Sequence, residues 1–542
     1  MSGFLPENAR HQFAIALGAG NVITDQVSLR AAEAGTFETG HAVPAIVRPA
    51  SRDEVQECLR IANRCGVPVY PVSSGKNWGY GSRMPSADNC VLLDLSRMNR
   101  IVDFSEDLGY VTVEPGVTQA QLHRFLKERG SRLWMDSTGA SPECSLIGNT
   151  MERGFGHTPY GDHFAHSCGL EVVLPNGDVV ETGFGRYEGA KATPAYRWGV
   201  GPVLDGLFSQ SNLGVVTRMT VWLMPAPEYF QAYYFKCERE EDLEAVIDAL
   251  RPLRMNGTIR SASHIANDYK VIAALGQYPW ERTHGVTPLS RETACDLRRE
   301  LKIGAWNGSG ALYGTKAQVK EARRLIRVAL AGKAKQLQFL DDRKLRLAAL
   351  FAKPYEWVSG WKLERTLAVL KPVYGLMKGI PTDHPLCSTY WRKRTPPPAS
   401  MDPDRDRCGL LWCSPVAPAN GRDARAVAEL ATAIVLEHGF EPAISITMIT
   451  ERALACIISL GYDRDVPGED ERAMQCRHDL LRRLGEAGYY SYRLNIGGMS
   501  SMDDGTEYQR FLRTLRSALD PNGILAPGRY VDVRAKTHSS AI

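Results

Sequence analysis

Apolar residues along this protein recur with two spacings. A period near 3.6 marks amphipathic helices, and a period of two marks half-buried strands. The first 40 residues read as polar helix. Residues 51–66 (SRDEVQECLRIANRCG) read as an amphipathic helix with Ser51 as N-cap, Glu54 three residues later and Gly66 at the end. GVPVYPV (66–72) is a short apolar, β-branched run and predicts a buried strand, as does NCVLLDLSRM (89–98). Residues 100–117 predict a hairpin turning at 105–109, and 118–130 a second capped helix. Residues 166–183 predict a hairpin around Pro-Asn-Gly, and 215–227 an alternating strand closed by prolines. From about Phe235 the texture changes. EREEDLEAVIDALRPLR reads as helix, GAWNGSGALYG as strand, KAQVKEARRLIRVAL as helix, and KRTPPPASMDPDRDRCG (393–409) as an exposed proline-rich loop. ARAVAELATAIVLEHG is helical, ISITMIT and ACIISLGY read as a strand pair, and the sequence ends with a helix and a Gly/Pro tail. The pattern is α+β and has no internal repeat.

Composition narrows the function classes. A protein of 542 residues holds two large domains or up to about four smaller ones. A 44% hydrophobic and 23% charged composition is that of a globular protein with a sizeable core. The net charge of +4 is spread along the sequence, so neither nucleic acid nor a membrane surface is an expected partner. No apolar run approaches a membrane span. The opening MSGFLPENARHQ lacks a basic region followed by an apolar core, which leads to the expectation of a cytoplasmic protein without an export signal. Twelve cysteines stand singly, without CxxC spacing or a Cys/His cluster, so reduced thiols and no metal site are expected.

One stretch concentrates unusual chemistry. SSGKNWGYGS (73–82) puts three glycines, a lysine, an asparagine and two aromatics between two predicted strands. Glycine admits φ > 0 and lets backbone N–H groups approach a ligand closely, which makes the stretch a candidate anion cradle. It matches neither GxxxxGK[ST] nor GxGxxG opening a helix. Taken alone, it reads as a tight hairpin corner.

The order of several motifs changes that reading. AIVRPASRDEVQECLRIANRCGVPVYPVSSGKNWGYGS is followed by EPGVT, GNTMERGFGHTPYGDH, NGDVVETG, DGLFSQSNLGVV and DPNGILAPGR. In this order the sequence resembles the FAD-binding oxidoreductases of the vanillyl-alcohol oxidase and p-cresol methylhydroxylase group, from about Pro44 to Arg529. The resemblance implies a two-domain α+β fold. A discontinuous FAD domain (1–227 and 494–542) would be completed by a cap that carries the substrate site (228–493). It implies that Ser74, Gly75, Lys76, Asn77, Gly79 and Ser82 form the pyrophosphate loop. Ser145, Gly148 and Asn149 would lie around the flavin, Gly214 and Val216 on the adenine side, and Arg529 on the C-terminal return to the cofactor.

The same resemblance implies the chemistry. Tyr80, Tyr492 and Arg493 would bind a phenol as its phenolate, with Asp162 near the flavin as base or electrostatic partner and Trp412 walling the ring. Ionising a para-substituted phenol pushes electron density to the benzylic carbon, makes its C–H a hydride donor to FAD and yields a p-quinone methide. Tyr492 and Arg493 are neighbours, which on a regular strand point to opposite faces; a joint role requires a bulge or a strand end. The sequence also departs from the group. Leu410 stands where a flavin-linking histidine is found, and Ala455 and Cys456 replace paired histidines. Tyr390 is a candidate for a covalent flavin bond one residue off register, and His384 is another reachable nucleophile. The expected electron acceptor is oxygen or a c-type cytochrome, and the expected assembly a homodimer. Two other readings remain open: a same-fold oxidase of a non-phenolic alcohol or lactone, and the flavin subunit of a complex with a cytochrome.

Overall fold

A computed structural model describes residues 4–352, 363–502 and 505–531. The helix Arg52–Cys65 forms as its signals indicate. Ser51 Oγ accepts the Glu54 N–H, and Gly66 closes the helix in the left-handed region at φ 61°. Its apolar face, Val55, Cys58, Leu59, Ile61 and Ala62, is buried against Val69, Leu93 and Leu525. The strands Val69–Val72 and Val91–Asp94 pair in parallel, Val69 opposite Val91, within a four-stranded sheet. Residues 73–82 are therefore not a hairpin corner. They open a crossover between parallel neighbours, which a two-residue turn cannot provide.

A five-stranded antiparallel sheet follows, in the order Ile101–Ser105, Tyr110–Val113, Val215–Trp222, Ser167–Val173, Val179–Glu181. The hairpins expected at 100–117 and 166–183 are its edges. A second, larger antiparallel sheet is then built between Tyr229 and Asp463. The helices Asp242–Met255, Lys316–Leu330, Gly421–Glu437 and Glu469–Glu486 supply buried residues to the core behind it. Its other face is turned toward the first domain. Because side chains alternate along a strand, that face presents His264 and Ala266, Ser445 and Thr447, and Leu410 and Trp412 from three strands.

The C-terminal segment returns to the first sheet. Val69 N–H donates to the Ile524 carbonyl at 2.8 Å, and Ala526 N–H donates to the Val69 carbonyl at 2.7 Å. Asp520, fully buried, pairs with Arg516 at 2.7 Å and accepts the N–H groups of Ile524 and Leu525. A buried carboxylate with this many donors is fully satisfied, and it fixes the return. The proline-rich segment 393–409 is more than an exposed loop: its Asp402 and Asp404 reach back to residues 76–82.

Candidate active site

A cavity of about 1250 Å³ lies between the two domains. Ser74–Asn77, Tyr80, Ser82, Ser145, Gly148, Asn149, Gly214, Val216, Trp412, Tyr492, Arg493 and Arg529 all line it. Three residues expected at the site do not. Gly79 lies behind the wall, where its bare Cα lets Trp412 approach; a Cβ there would sit 2.1 Å from Trp412 Cδ1. Asp162, expected beside the flavin, is instead used in a local turn, its Oδ1 accepting the Ala165 N–H at 3.0 Å. Tyr390 is buried outside the lining and donates its hydroxyl to Asp406 at 2.5 Å. His384 does line the cavity, with Nε2 buried and without a hydrogen-bond partner among the described residues.

The glycine loop is held from both sides. Lys76 Nζ pairs with Asp402 at 2.9 Å, while Trp78 Nε1 and Ser82 Oγ donate to the two oxygens of Asp404. Burial pushes the Asp404 carboxyl up to about 7. Among the described residues, no protein acceptor meets the backbone N–H groups of Gly75, Lys76 and Asn77. Opposite them, Ser145 caps the short helix Leu146–Met151, accepting the Gly148 N–H and donating its hydroxyl to the Pro115 carbonyl. Gly148 approaches Ser73 so closely that a Cβ would lie 2.4 Å from its Oγ.

Tyr80, Tyr492 and Arg493 come together at one wall. The Arg493 guanidinium lies 4.1 Å from the centre of the Tyr80 ring, and the Tyr80 hydroxyl is 2.9 Å from Ser414 Oγ. Residues 492 and 493 lie in an irregular bend just after an isolated bridge between Ser491 and Pro415, so the two neighbours need not face opposite ways. Arg493 Nη2 donates to Asn77 Oδ1 at 2.6 Å, and its Nε lies 3.5 Å from Glu152. Glu152 also accepts Arg529 Nη2 on both oxygens at 2.9 Å and the Tyr530 hydroxyl at 2.5 Å. Two arginines thus share one carboxylate, which leaves this wall electropositive. Burial raises the titration of the Tyr80 and Tyr492 hydroxyls, and Arg493 opposes it in both, so the two phenols remain neutral donors at neutral pH.

Several other residues in the cavity wall or hydrogen-bonded to it carry little or no warning in the sequence. Asp136 is hydrogen-bonded to His163 Nε2 at 2.6 Å, and His163 Nδ1 to Asn149 Oδ1 at 2.6 Å. Burial alone would raise the Asp136 carboxyl; the His163 bond and the Thr158 N–H hold it below the ordinary carboxylate value. The His157 and His264 rings lie 4.6 Å apart in the cavity wall, and burial keeps both below their usual titration range. Lys270 also lines the cavity. Its signal is a single cation in the apolar helical run YKVIAAL; that of Glu152 is its place within the GNTMERG motif.

The arrangement can hold an extended anionic cofactor along the glycine loop and an ionised aromatic at the Tyr–Arg wall. Residues 43–183 match the family model described as FAD binding domain. The protein is 32% identical over 495 residues to the 4-cresol dehydrogenase (hydroxylating) flavoprotein subunit of Pseudomonas putida, covering 90% of its own length and 88% of that relative. This chain belongs to the p-cresol methylhydroxylase family of FAD-dependent oxidoreductases. Another member of similar length, 1'-carboxy-chondrochloren decarboxylase of Chondromyces crocatus, is 45% identical over 526 residues, 97% of each protein. The solved structure of 4-ethylphenol oxidase from Gulosibacter chungangensis, in complex with isoeugenol, superposes with a TM-score of 0.87 at 30% identity, covering 97% of the present protein and 96% of the oxidase.

The residues present fit the family cofactor. The cavity exceeds the roughly 300–1,000 Å³ typical of a single small-ligand site, leaving room for FAD and a substrate together. Gly75–Asn77 line it and, among the described residues, their backbone N–H groups have no protein acceptor, which leaves donors of the kind a pyrophosphate needs. Lys76, spent on Asp402, offers that pyrophosphate little charge. No group of three His, Cys, Asp or Glu side chains suited to a metal ion occurs among the described residues. All twelve cysteines are free thiols. No helix among the described residues is long and apolar enough to cross a membrane.

Proposed function

We propose that this member of the family oxidises a para-substituted phenol at its benzylic carbon. The observation that carries the reading is the convergence of two neutral tyrosine hydroxyls and a buried guanidinium on one wall of the cavity. Bound FAD supplies the hydride-accepting, two-electron chemistry. Tyr80 and Tyr492 donate hydrogen bonds to the substrate oxygen, and Arg493 supplies the fixed positive charge that favours its ionised form. Glu152 and Asn77 hold Arg493 in place, so little reorganisation accompanies the reaction. The ionised oxygen pushes electron density through the para position to the benzylic carbon, and loss of hydride from that carbon leaves a p-quinone methide. Trp412 walls the ring, and oxygen or a c-type cytochrome takes the electrons onward.

A second outcome for that quinone methide is supported by the 45% identical relative whose name is that of a decarboxylase. Where the substrate carries a carboxylate on the carbon next to the benzylic one, the quinone methide is an electron sink for loss of CO2. The test of the common first step is anaerobic titration of the FAD-loaded protein with 4-ethylphenol and with its methyl ether. The phenol should bleach the flavin absorbance and the ether, which cannot ionise, should not. Equal bleaching by both would refute the phenolate mechanism and leave the non-phenolic alternative.

A further inference from the structure

Lys270 is a cation in the cavity wall with no acidic partner among the described residues. It lies on the helix Asp268–Leu275, whose Val271, Ala274 and Leu275 also line the cavity. Its ammonium donates to Ser459 Oγ at 2.8 Å and lies 5.0 Å from the centre of the Trp412 ring. Among the described residues it makes no ion pair with a carboxylate. The cations of the glycine loop and of the Tyr–Arg wall differ in this: Lys76 is paired with Asp402, and Arg493 and Arg529 share Glu152. A hydroxyl and an aromatic face satisfy part of an ammonium's needs, and an uncompensated cation away from water is costly. Burial brings its titration down to about 8, with no neighbouring acid to raise it. At neutral pH the group is still mainly charged and open to an anion arriving through the cavity.

We propose that Lys270, with Ser459 and the Trp412 face behind it, forms a carboxylate-binding subsite, so that the preferred substrates are 4-hydroxyphenyl compounds whose side chain bears a carboxylate on the carbon adjacent to the benzylic one. The inference rests on the phenol-oxidation reading above and names its substrate class. The chemistry balances with FAD as oxidant. The benzylic C–H bond breaks and its hydrogen leaves with both electrons to FAD. The C–CO2 bond on the next carbon then breaks, and its electron pair forms a C=C bond beside the ring while the ring regains its phenolate. CO2 leaves, and the product is a 4-hydroxystyrene. An ammonium on the carboxylate stabilises the acid before C–C cleavage, so Lys270 acts as a positioning and specificity residue; its removal should raise KM and not lower the rate of cleavage.

The test uses the FAD-loaded protein and two probes of the same shape, 3-(4-hydroxyphenyl)propanoate and its amide, with anaerobic flavin reduction, CO2 and 4-vinylphenol as readouts. In the unmodified protein the acid should be preferred over the amide in kcat/KM and release CO2. Lys270→Met should collapse that preference about ten- to a hundredfold, the worth of one charge-assisted hydrogen bond, mainly through KM, and Lys270→Arg should restore part of it. An unmodified protein that reduces flavin with both probes but shows no preference overturns the subsite without any variant. A preference that survives Lys270→Met overturns it too. If Lys270→Met instead weakens FAD retention tenfold while the preference persists, the anion it serves is the cofactor's pyrophosphate and the proposal is wrong. Failure of both probes and of 4-ethylphenol to reduce the flavin would refute the phenol reading itself.

Discussion

Arg493 is the residue on which the proposed chemistry turns. It is 9% exposed, stacked on Tyr80 and tied to Asn77 and Glu152, so its charge is present before any substrate arrives. A charge-assisted hydrogen bond in such a site contributes roughly 1.5–3 kcal/mol, or about one to two decades in rate. Arg493→Ala should therefore slow flavin reduction by 4-ethylphenol about ten- to a hundredfold. The binding of 4-ethylanisole, which has no ionisable oxygen, should change much less. Rapid-mixing reduction traces and equilibrium titrations separate the two, and equal losses in both would show that the arginine merely shapes the pocket. Arg493→Lys should recover only part of the rate, because an ammonium lacks the planar fork that reaches Asn77 and Glu152 together.

At the scale of elements, the glycine loop works because the segment carrying Asp402 and Asp404 clamps it. Asp404 holds a proton in the folded protein up to about pH 7, whereas the unfolded protein releases it near the ordinary 3.8. Between these values the folded state binds more protons than the unfolded one. Its stabilising contribution is thus complete below about pH 4 and is lost as pH rises toward 7. The thermal midpoint of the unmodified protein, measured relative to Asp404→Asn, should fall across about pH 4.5–7.5; a difference that is flat with pH would contradict the protonated clamp. Gly79 tests the same element sterically. It has φ 76°, and a Cβ would strike Trp412, whereas Gly130 has φ 59° with nothing within 4 Å of its Cβ position. Gly130→Ala should cost only the left-handed strain, about 1–2 kcal/mol. Gly79→Ala should cost that plus overpacking of about 1–3 kcal/mol, and should shift tryptophan emission. Equal melting losses in the two variants would mean that Trp412 yields freely.

The whole molecule closes around its cofactor site from both ends of the sequence, the returning segment 524–526 bonding to Val69 beside the glycine loop. Anything that binds this assembled state and not the unfolded protein stabilises it. Free FAD at about a hundredfold excess over its Kd should add about 2.7 kcal/mol and raise the melting temperature in a concentration-dependent way. We expect the flavin to be held without a covalent bond, since Leu410 has no nucleophile and Tyr390 points its hydroxyl at Asp406 outside the cavity lining. Acid precipitation should leave the yellow colour in the supernatant. A yellow pellet yielding a flavinylated peptide with His384 would assign the bond to that imidazole, whose buried Nε2 has no hydrogen-bond partner among the described residues and which lines the cavity.

Local signals in the sequence determined the elements. The helix at 52–65 carries its own cap and stop, and the Pro-Asn-Gly hairpin its own turn, because such features depend on residues a few positions apart. The ordered motifs likewise determined the family and its cofactor, and most of the residues they named line the cavity. Only the tertiary structure decided how distant segments meet. It turned the expected hairpin corner at 73–82 into a crossover between parallel strands, since strand pairing depends on which edge is free and not on the turn residues alone. It set Tyr492 and Arg493 in a bend where both reach the cavity, kept Asp162 in a local turn, and left Tyr390 outside the wall. It also drew Glu152 between two arginines from the far end of the sequence and, among the described residues, left Lys270 without a carboxylate. These are properties of charge pairing across hundreds of residues; a linear sequence supplies the charges, and the fold alone decides which of them find a partner.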